Sequence, residues 1–293
     1  MYFQKIIILL LFLLCSTAFC LNAQDNEIHI ATGYSVANLH WSIAGNTDGK
    51  DPDILSELVW SRLRGPLWSL GGRYYFAKKW GVELSAGYHD IKKGRVVDKD
   101  YAQDGREGNY YKEQFNSQGK DATVDAMLNY HVGNLWSFEI RPFIGYTLQK
   151  QEVLMLGDEE TERDLRSSYK TTWMGAQAGV NASRAFNRLD LRIDLSGGLL
   201  RYRAAALWNL IEEFAKPVSF RHYTEAYQVK GMAELGYTLT SKIRIMGYYR
   251  LAHSDAWKGT DRAYYTDGSS IDTRLNWVTT TGKAFGVGLG YLF

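Results

Sequence analysis

From residue 27 to the C-terminus this sequence alternates in steps of two, and the alternation has an unusual partition. In Trp80-Gly81-Val82-Glu83-Leu84-Ser85-Ala86-Gly87-Tyr88-His89 one set of positions is apolar with aromatic ends and the other is small or charged. The same rule recurs in Ala122, Val124, Ala126, Leu128 and Tyr130, in Trp136 to Leu148, in Leu189, Leu191, Ile193 and Leu195, and in Tyr227 to Tyr237. A period of two is the signature of strands, since successive side chains leave a strand on opposite faces. The chain ends on its clearest example: Phe285, Val287, Leu289, Tyr291 and Phe293 face one way, Gly286, Gly288 and Gly290 the other.

A soluble sandwich also alternates, with its apolar face inside. Two features point instead to a barrel with its apolar face outward. Aromatic residues bracket the apolar runs as interfacial girdles do, and the connections alternate short and long. Short ones fall near Ala77 to Lys79, Val132 to Asn134, Phe186 to Asn187 and Ser241. Long ones cover roughly Gly45 to Asp53, Gly94 to Lys112, Gly157 to Leu165, Ala205 to Pro217 and Lys258 to Ser270. Counting between them predicts an all-β fold, a closed ten-stranded antiparallel transmembrane β-barrel. No stretch after residue 23 is long and apolar enough for a spanning helix, so a membrane location requires a closed barrel. Long connections are expected to face the cell exterior.

The N-terminus reads as an address. Lys5, the apolar run Ile6 to Leu14 and Leu21-Asn22-Ala23 form a secretory signal peptide with cleavage expected after Ala23, leaving residues 24–293 as one barrel domain. A lipoprotein would need a small residue before its acceptor cysteine, but Phe19 precedes Cys20. Both cysteines, Cys15 and Cys20, fall inside the leader, so the mature chain is expected to lack disulfides and thiolate metal sites. A net charge of +2, from 34 basic and 32 acidic side chains, implies no nucleic-acid partner. No metal or cofactor motif is found.

A narrow lumen carrying Glu83, Asp125, Glu139, Arg141, Asp190, Arg192, Asp194, Lys230, Glu234 and Arg244 is expected to be ion-paired and mostly closed, which places function at the rim. There Val97-Asp98-Lys99-Asp100-Tyr101 puts two carboxylates one residue apart, a spacing at which they can share a proton or orient a water. Asp51-Pro52-Asp53 has the same spacing in another loop, so the pair alone does not define a site.

In build and in these residues the chain resembles the omptins, ten-stranded outer-membrane endopeptidases with a groove at the outer rim. Ser56-Glu57-Leu58-Val59-Trp60 is similar to their Ser-x-Leu-Asp-Trp, with Val59 in place of the acid, and Val97 to Tyr101 is similar to their Val-Asp-x-Asp-Trp. The resemblance implies that Asp98 and Asp100 hold an attacking water opposite an Asp-x-His pair near the end of strand seven. That second pair is missing: the chain reads Arg201-Tyr202-Arg203-Ala204-Ala205-Ala206-Leu207-Trp208. Alternation to the rim turns His40, after a phase slip near Asn38, His89 and His222 inward. His222 is the best substitute base, with Glu212 and Glu213 in the adjoining loop. The resemblance also implies lipopolysaccharide contacts on the outer wall, where Tyr146 and Lys150 stand in a similar position; a snorkelling lysine at the interface accounts for Lys150 equally well. His40-Trp41-Ser42 lacks the following Asn of barrel phospholipases.

Two readings stay open. One is an omptin-type outer-membrane endopeptidase with an altered or degenerate site. The other is a non-catalytic outer-membrane barrel whose loops bind a surface ligand, peptide or protein.

Overall fold

The computed structural model describes residues 26–157, 165–209 and 211–293; the expected leader with both cysteines, and most of the third long connection, lie outside the described residues. The strands are β1 (Glu27–Ile43), β2 (Ser56–Tyr74), β3 (Trp80–Gln103), β4 (Glu107–Tyr130), β5 (Gly133–Leu135), β6 (Phe138–Leu156), β7 (Ser167–Phe186), β8 (Leu189–Leu207), β9 (Phe220–Thr238), β10 (Ile243–Ala256), β11 (Gly259–Tyr264) and β12 (Ser270–Leu292). Ten of them form an antiparallel ring, in the order β1-β2-β3-β4-β6-β7-β8-β9-β10-β12, closed by pairing of β12 with β1. The two short strands are additions: β5 pairs only with β6, and β11 fills the place beside β9 and β12 above the point where β10 stops. The expected ten-stranded barrel is the observed one.

Its partition is inverted relative to a soluble protein. Phe285, Val287, Leu289 and Tyr291 on β12, Ile30 and Tyr34 on β1, and Leu195 and Leu199 on β8 are exposed on the outer wall, whereas Glu27, Arg141, Arg192, Glu234 and Arg244 are buried inside. The buried charges are paired. Arg192 reaches Glu83 at 2.6 Å and Asp194 at 3.0 Å, and Lys230 reaches Asp125 at 2.7 Å. Arg244 meets Glu234 at 2.9 Å, Glu27 at 3.4 Å and also Asp190. Glycine on the inner face makes room for this network: a Cβ at Gly236 would run into the Arg244 guanidinium, and one at Gly290 into the Glu27 carboxylate.

Toward the long-loop end the filling changes from ionic to aromatic. Trp41, Trp60, Tyr169, Trp173, Tyr202 and His222 are fully or almost fully buried among Leu39, Leu58, Leu63 and Val96. Trp60 stacks on Tyr169 with centroids 5.4 Å apart, and Trp41 meets His222 edge-on at 5.1 Å. The expected ion-paired lumen is therefore the lower of two layers. Above the charges an apolar layer fills the barrel.

β-Bulges create this layer. Register slips at Ala37/Leu39 in the β1–β2 ladder and between Ser61 and Leu67 in β2–β3 put an extra residue in β2 at Arg62, which sits at φ 53°. A further slip at Ile91/Gly94 puts one in β3. Each bulge exchanges the faces of its strand. Even-numbered residues of β3 point outward from Trp80 to Tyr88 and inward at Val96, Asp98 and Asp100. β1 keeps its phase, so Leu39 and Trp41 remain inside and His40 faces outward, 3.6 Å from Glu57 and edge-on to Trp277. The slip expected near Asn38 lies on the partner strand, which is why His40 does not point inward.

Removing the counter-ion at the centre of the ionic layer should be costly. Arg244→Met strips Asp190 of its cation and leaves Glu27 and Glu234 to share Arg73, at 2.5 and 3.6 Å, and a loss of about 3 kcal/mol is expected, read as a lower urea midpoint for the refolded barrel.

Candidate functional site at the long-loop end

β3 and β4 continue well beyond the aromatic girdle. From Tyr88 to Asp98 is ten residues, roughly 33 Å along the strand at about 3.3 Å per residue. Their upper ends, with β2, β9, β11 and the loops, surround a groove of about 900 Å³. Its walls are Leu58, Phe115, Met155, Trp208, Phe220 and Ile271, with the carboxylates of Asp98, Asp100, Glu113 and Asp261 set among them.

Asp98 stands opposite Leu58 on β2 and Glu113 on β4. It is 7% exposed, and its Oδ1 has no hydrogen-bond partner among the described residues. Burial holds the Asp98 carboxyl well above the usual range, the negative charges of Asp100 and Glu113 push it the same way, and only the Lys99 backbone N–H opposes them. Asp100 is raised by burial too, against a hydrogen bond from Ser56 across the β2 ladder. Glu113 accepts a hydrogen bond from the Tyr111 hydroxyl at 2.5 Å. The acidic pair is thus a buried acid, whose surroundings favour its protonated form, beside a second carboxyl on the same face.

His222 lies behind the opposite wall. It is inaccessible; its Nδ1 is 2.7 Å from the Tyr169 hydroxyl, which is 2.5 Å from that of Tyr202. Nε2 lies 3.2 Å from Asp261 Oδ1, an ion-pair distance without hydrogen-bond alignment. Asp261 in turn accepts a hydrogen bond from Thr273 at 3.0 Å and lines the groove. The acid beside His222 is therefore Asp261, directly across the β9–β11 ladder, and not Glu212 or Glu213 of the preceding loop.

Asp261 was not apparent in the sequence because β11 lies inside what reads as one long connection. Its signals are local: Asp267-Gly268 is a turn pair, and Arg262 and Asp272 flank it at matching distances. In the structure these two are cross-strand partners joined by two hydrogen bonds of 2.6 Å. His89, although inward as expected, lines a separate polar chamber of about 270 Å³ with Asp121, Gln149 and Lys230 rather than the groove. Tyr146 and Lys150 are exposed on β6.

A second cluster, on the outer wall, explains Glu57. Its buried carboxylate accepts hydrogen bonds from Tyr101 at 2.7 Å and Arg106 at 3.1 Å, with Lys99 at 3.5 Å. The hydrogen bonds from Tyr101 and Arg106 hold the Glu57 carboxyl below its ordinary value despite burial. Asp53 accepts a hydrogen bond from the Gly105 backbone N–H and its own N–H donates to Asp104, so the first two long connections are tied together beside the groove.

The family model described as Pom, Protochlamydia outer membrane protein, matches residues 29–293. No curated protein matches the sequence. Among solved structures, the outer membrane protease OmpT from Escherichia coli superposes with a TM-score of 0.73 at 13% identity, over 94% of this chain and 99% of that one. OprG from Pseudomonas aeruginosa gives a TM-score of 0.42 at 15% identity, over 93% and 98% of the two chains. At such identities the OmpT likeness speaks for the fold.

The raised Asp98 carboxyl has a consequence for stability. An unfolded aspartate loses its proton near pH 3.9, whereas folded Asp98 keeps it to higher pH, so the fold loses stability as pH rises through that window. Asp98→Asn, which cannot ionise, should match the wild type in thermal unfolding near pH 4 and exceed it increasingly toward pH 8.

Proposed function

Starting from a chain that belongs to the Protochlamydia outer membrane protein family and forms a bacterial outer-membrane barrel, we propose that its long connections face the cell exterior and that the groove between them takes up an extended peptide segment carrying a basic side chain. The observation that carries this reading is the buried Asp98 carboxyl, whose Oδ1 lacks a partner among the described residues lining the groove. An ammonium or guanidinium entering there supplies charge-assisted hydrogen bonds and stabilises the ionised acid, so binding drives a proton off. The apolar walls accommodate the flanking residues, as ligand grooves generally do.

A second reading, an endopeptidase of omptin type, is favoured by one observation: the His222–Asp261 pair stands against the same groove as Asp98 and Asp100. Water activation by Asp98, Asp100 and His222 would require β11 to move, since the imidazole is inaccessible and Asp261 lies between it and the groove. Outer-membrane lipid is the expected partner of the outer wall, with lipopolysaccharide phosphate beside Tyr146 and Lys150 as its finer form.

Fluorescent peptides that differ only in having lysine, glutamine or glutamate at one position distinguish the readings when mixed with refolded barrel. Binding of the lysine peptide is expected, without cleavage, weakened about tenfold or more by Asp98→Ala or Asp100→Ala, a change of about 1.4 kcal/mol, and left intact by His222→Ala. Affinity should fall at acid pH, where the proton competes. Cleavage abolished by both Asp98→Ala and His222→Ala would establish the hydrolytic reading, and equal binding of all three peptides would refute the basic-peptide one.

A further inference from the structure

The ion-paired filling of the barrel leaves two opposite charges out, and both face the same chamber. Arg250 on β10 shares its inward parity with Arg244, Met246 and Tyr248, all buried. Its guanidinium lies over the Tyr248 ring at 4.5 Å, and among the described residues it meets no carboxylate. Asp121 on β4 has only neutral donors: Gln149 at 2.5 Å, Thr123 at 3.4 Å and Gln151 at 3.5 Å. Among the described residues no ammonium or guanidinium lies within ion-pair distance of it. Lys230 lines the chamber too, but it is committed to Asp125 at 2.7 Å and to the Thr147 hydroxyl at 3.0 Å.

Asp121 and Arg250 do not neutralise each other, because β4 is fourth and β10 ninth in the ring order and five places among ten put them on opposite walls. Between them lies the chamber of about 270 Å³ that both line. That is just under the roughly 300 Å³ at which sites for drug-sized ligands begin, so it suits a smaller molecule. Small residues leave the space open: Ala37, Gly282 and Ala252 lie side by side on β1, β12 and β10, and a Cβ added to Gly282 would meet nothing within 4 Å. His89, directly across the ladder from Asp121, is buried on the chamber wall, and its Nε2 has no hydrogen-bond partner among the described residues. Water filling the chamber would supply hydrogen bonds but no counter-charge. An anion would suit Arg250 alone and a cation Asp121 alone; a molecule carrying both charges suits both.

We propose that this chamber binds a small zwitterion of the amino-acid class, its carboxylate pairing with Arg250, its ammonium with Asp121, and the His89 imidazole adding a further polar contact. The chamber shares no lining residue with the groove at the long-loop end, so the site stands independently of peptide binding there.

Equilibrium dialysis of the full chain, refolded in detergent with a radiolabelled probe present, counts bound probe whether entry is fast or slow. The probes are β-alanine and γ-aminobutyrate, zwitterions of two lengths, with butyrate and butylamine as carriers of one charge each. At least one zwitterion should bind, and both single-charge probes should bind about tenfold or more weakly, the loss of one charge-assisted contact. Arg250→Gln should erase the preference for that zwitterion over butylamine, and Asp121→Asn its preference over butyrate. Gly282→Leu, which occupies the open space and leaves every charge in place, should abolish binding; circular dichroism confirms that each variant has folded. Failure of both zwitterions to bind overturns the proposal, as does butyrate or butylamine bound as tightly as they are. Zwitterion binding that survives Gly282→Leu and is lost in Asp98→Ala would place the probe in the groove and overturn it too.

Discussion

The ladder between β1 and β12, running from Glu27 opposite Leu292 to Ile43 opposite Leu275, removes the last free edge of the sheet. With each of the ten ring strands paired on both sides across the membrane-facing zone, the backbone there no longer needs water to satisfy its polar groups, and the outer wall can be apolar. That closure in turn forces the other half of the partition. Whatever cannot face lipid must fit inside a narrow ring, so Arg192, Arg244, Glu83 and Glu234 point into the barrel and have to find one another.

Two interiors follow one another along the barrel axis, and the bulges in β2 and β3 separate them. Below the bulges the inner faces carry charges and glycines; above them the exchanged faces bring Trp60, Leu58 and Val96 inward to meet Trp41, Tyr169 and Tyr202. The upper layer resembles the core of a soluble protein. It gives the groove a rigid floor, and it explains how a loop-bearing rim can stand so far beyond the aromatic girdle without collapsing.

On that floor the acids are held in an unfavourable state. Asp98 is buried, no cation among the described residues offsets its charge, and its neighbours Asp100 and Glu113 add like charge. A fold selected for stability alone would place an amide or an apolar residue there. Retaining the acid is intelligible where the missing counter-charge arrives with a ligand, since functional sites commonly give up stability for such poised groups. By contrast, the Glu57 carboxylate has its donors in Tyr101 and Arg106, and that cluster ties loops together.

Much of this was legible in the residues. Period-two alternation, aromatic girdles and the rhythm of connections determine an outward-apolar barrel of ten long strands, because the pleat leaves a strand no other way to separate its faces. The position of Asp98 and Asp100 at the long-loop end was legible for the same reason. Their direction was not: parity counted from Trp80 sends Asp98 outward, and only the bulge near Lys92 turns it into the groove. His40 fails in the opposite sense, because the slip that would have turned it inward belongs to β2. The partner of His222 was equally hidden, since Asp261 is 39 residues away in sequence and becomes its neighbour only when β11 adds to the sheet. Alternation is a local property of one strand, and the sequence determines it alone; register, bulge placement and which acid meets which imidazole depend on how several strands align, so they were decided in the closed barrel.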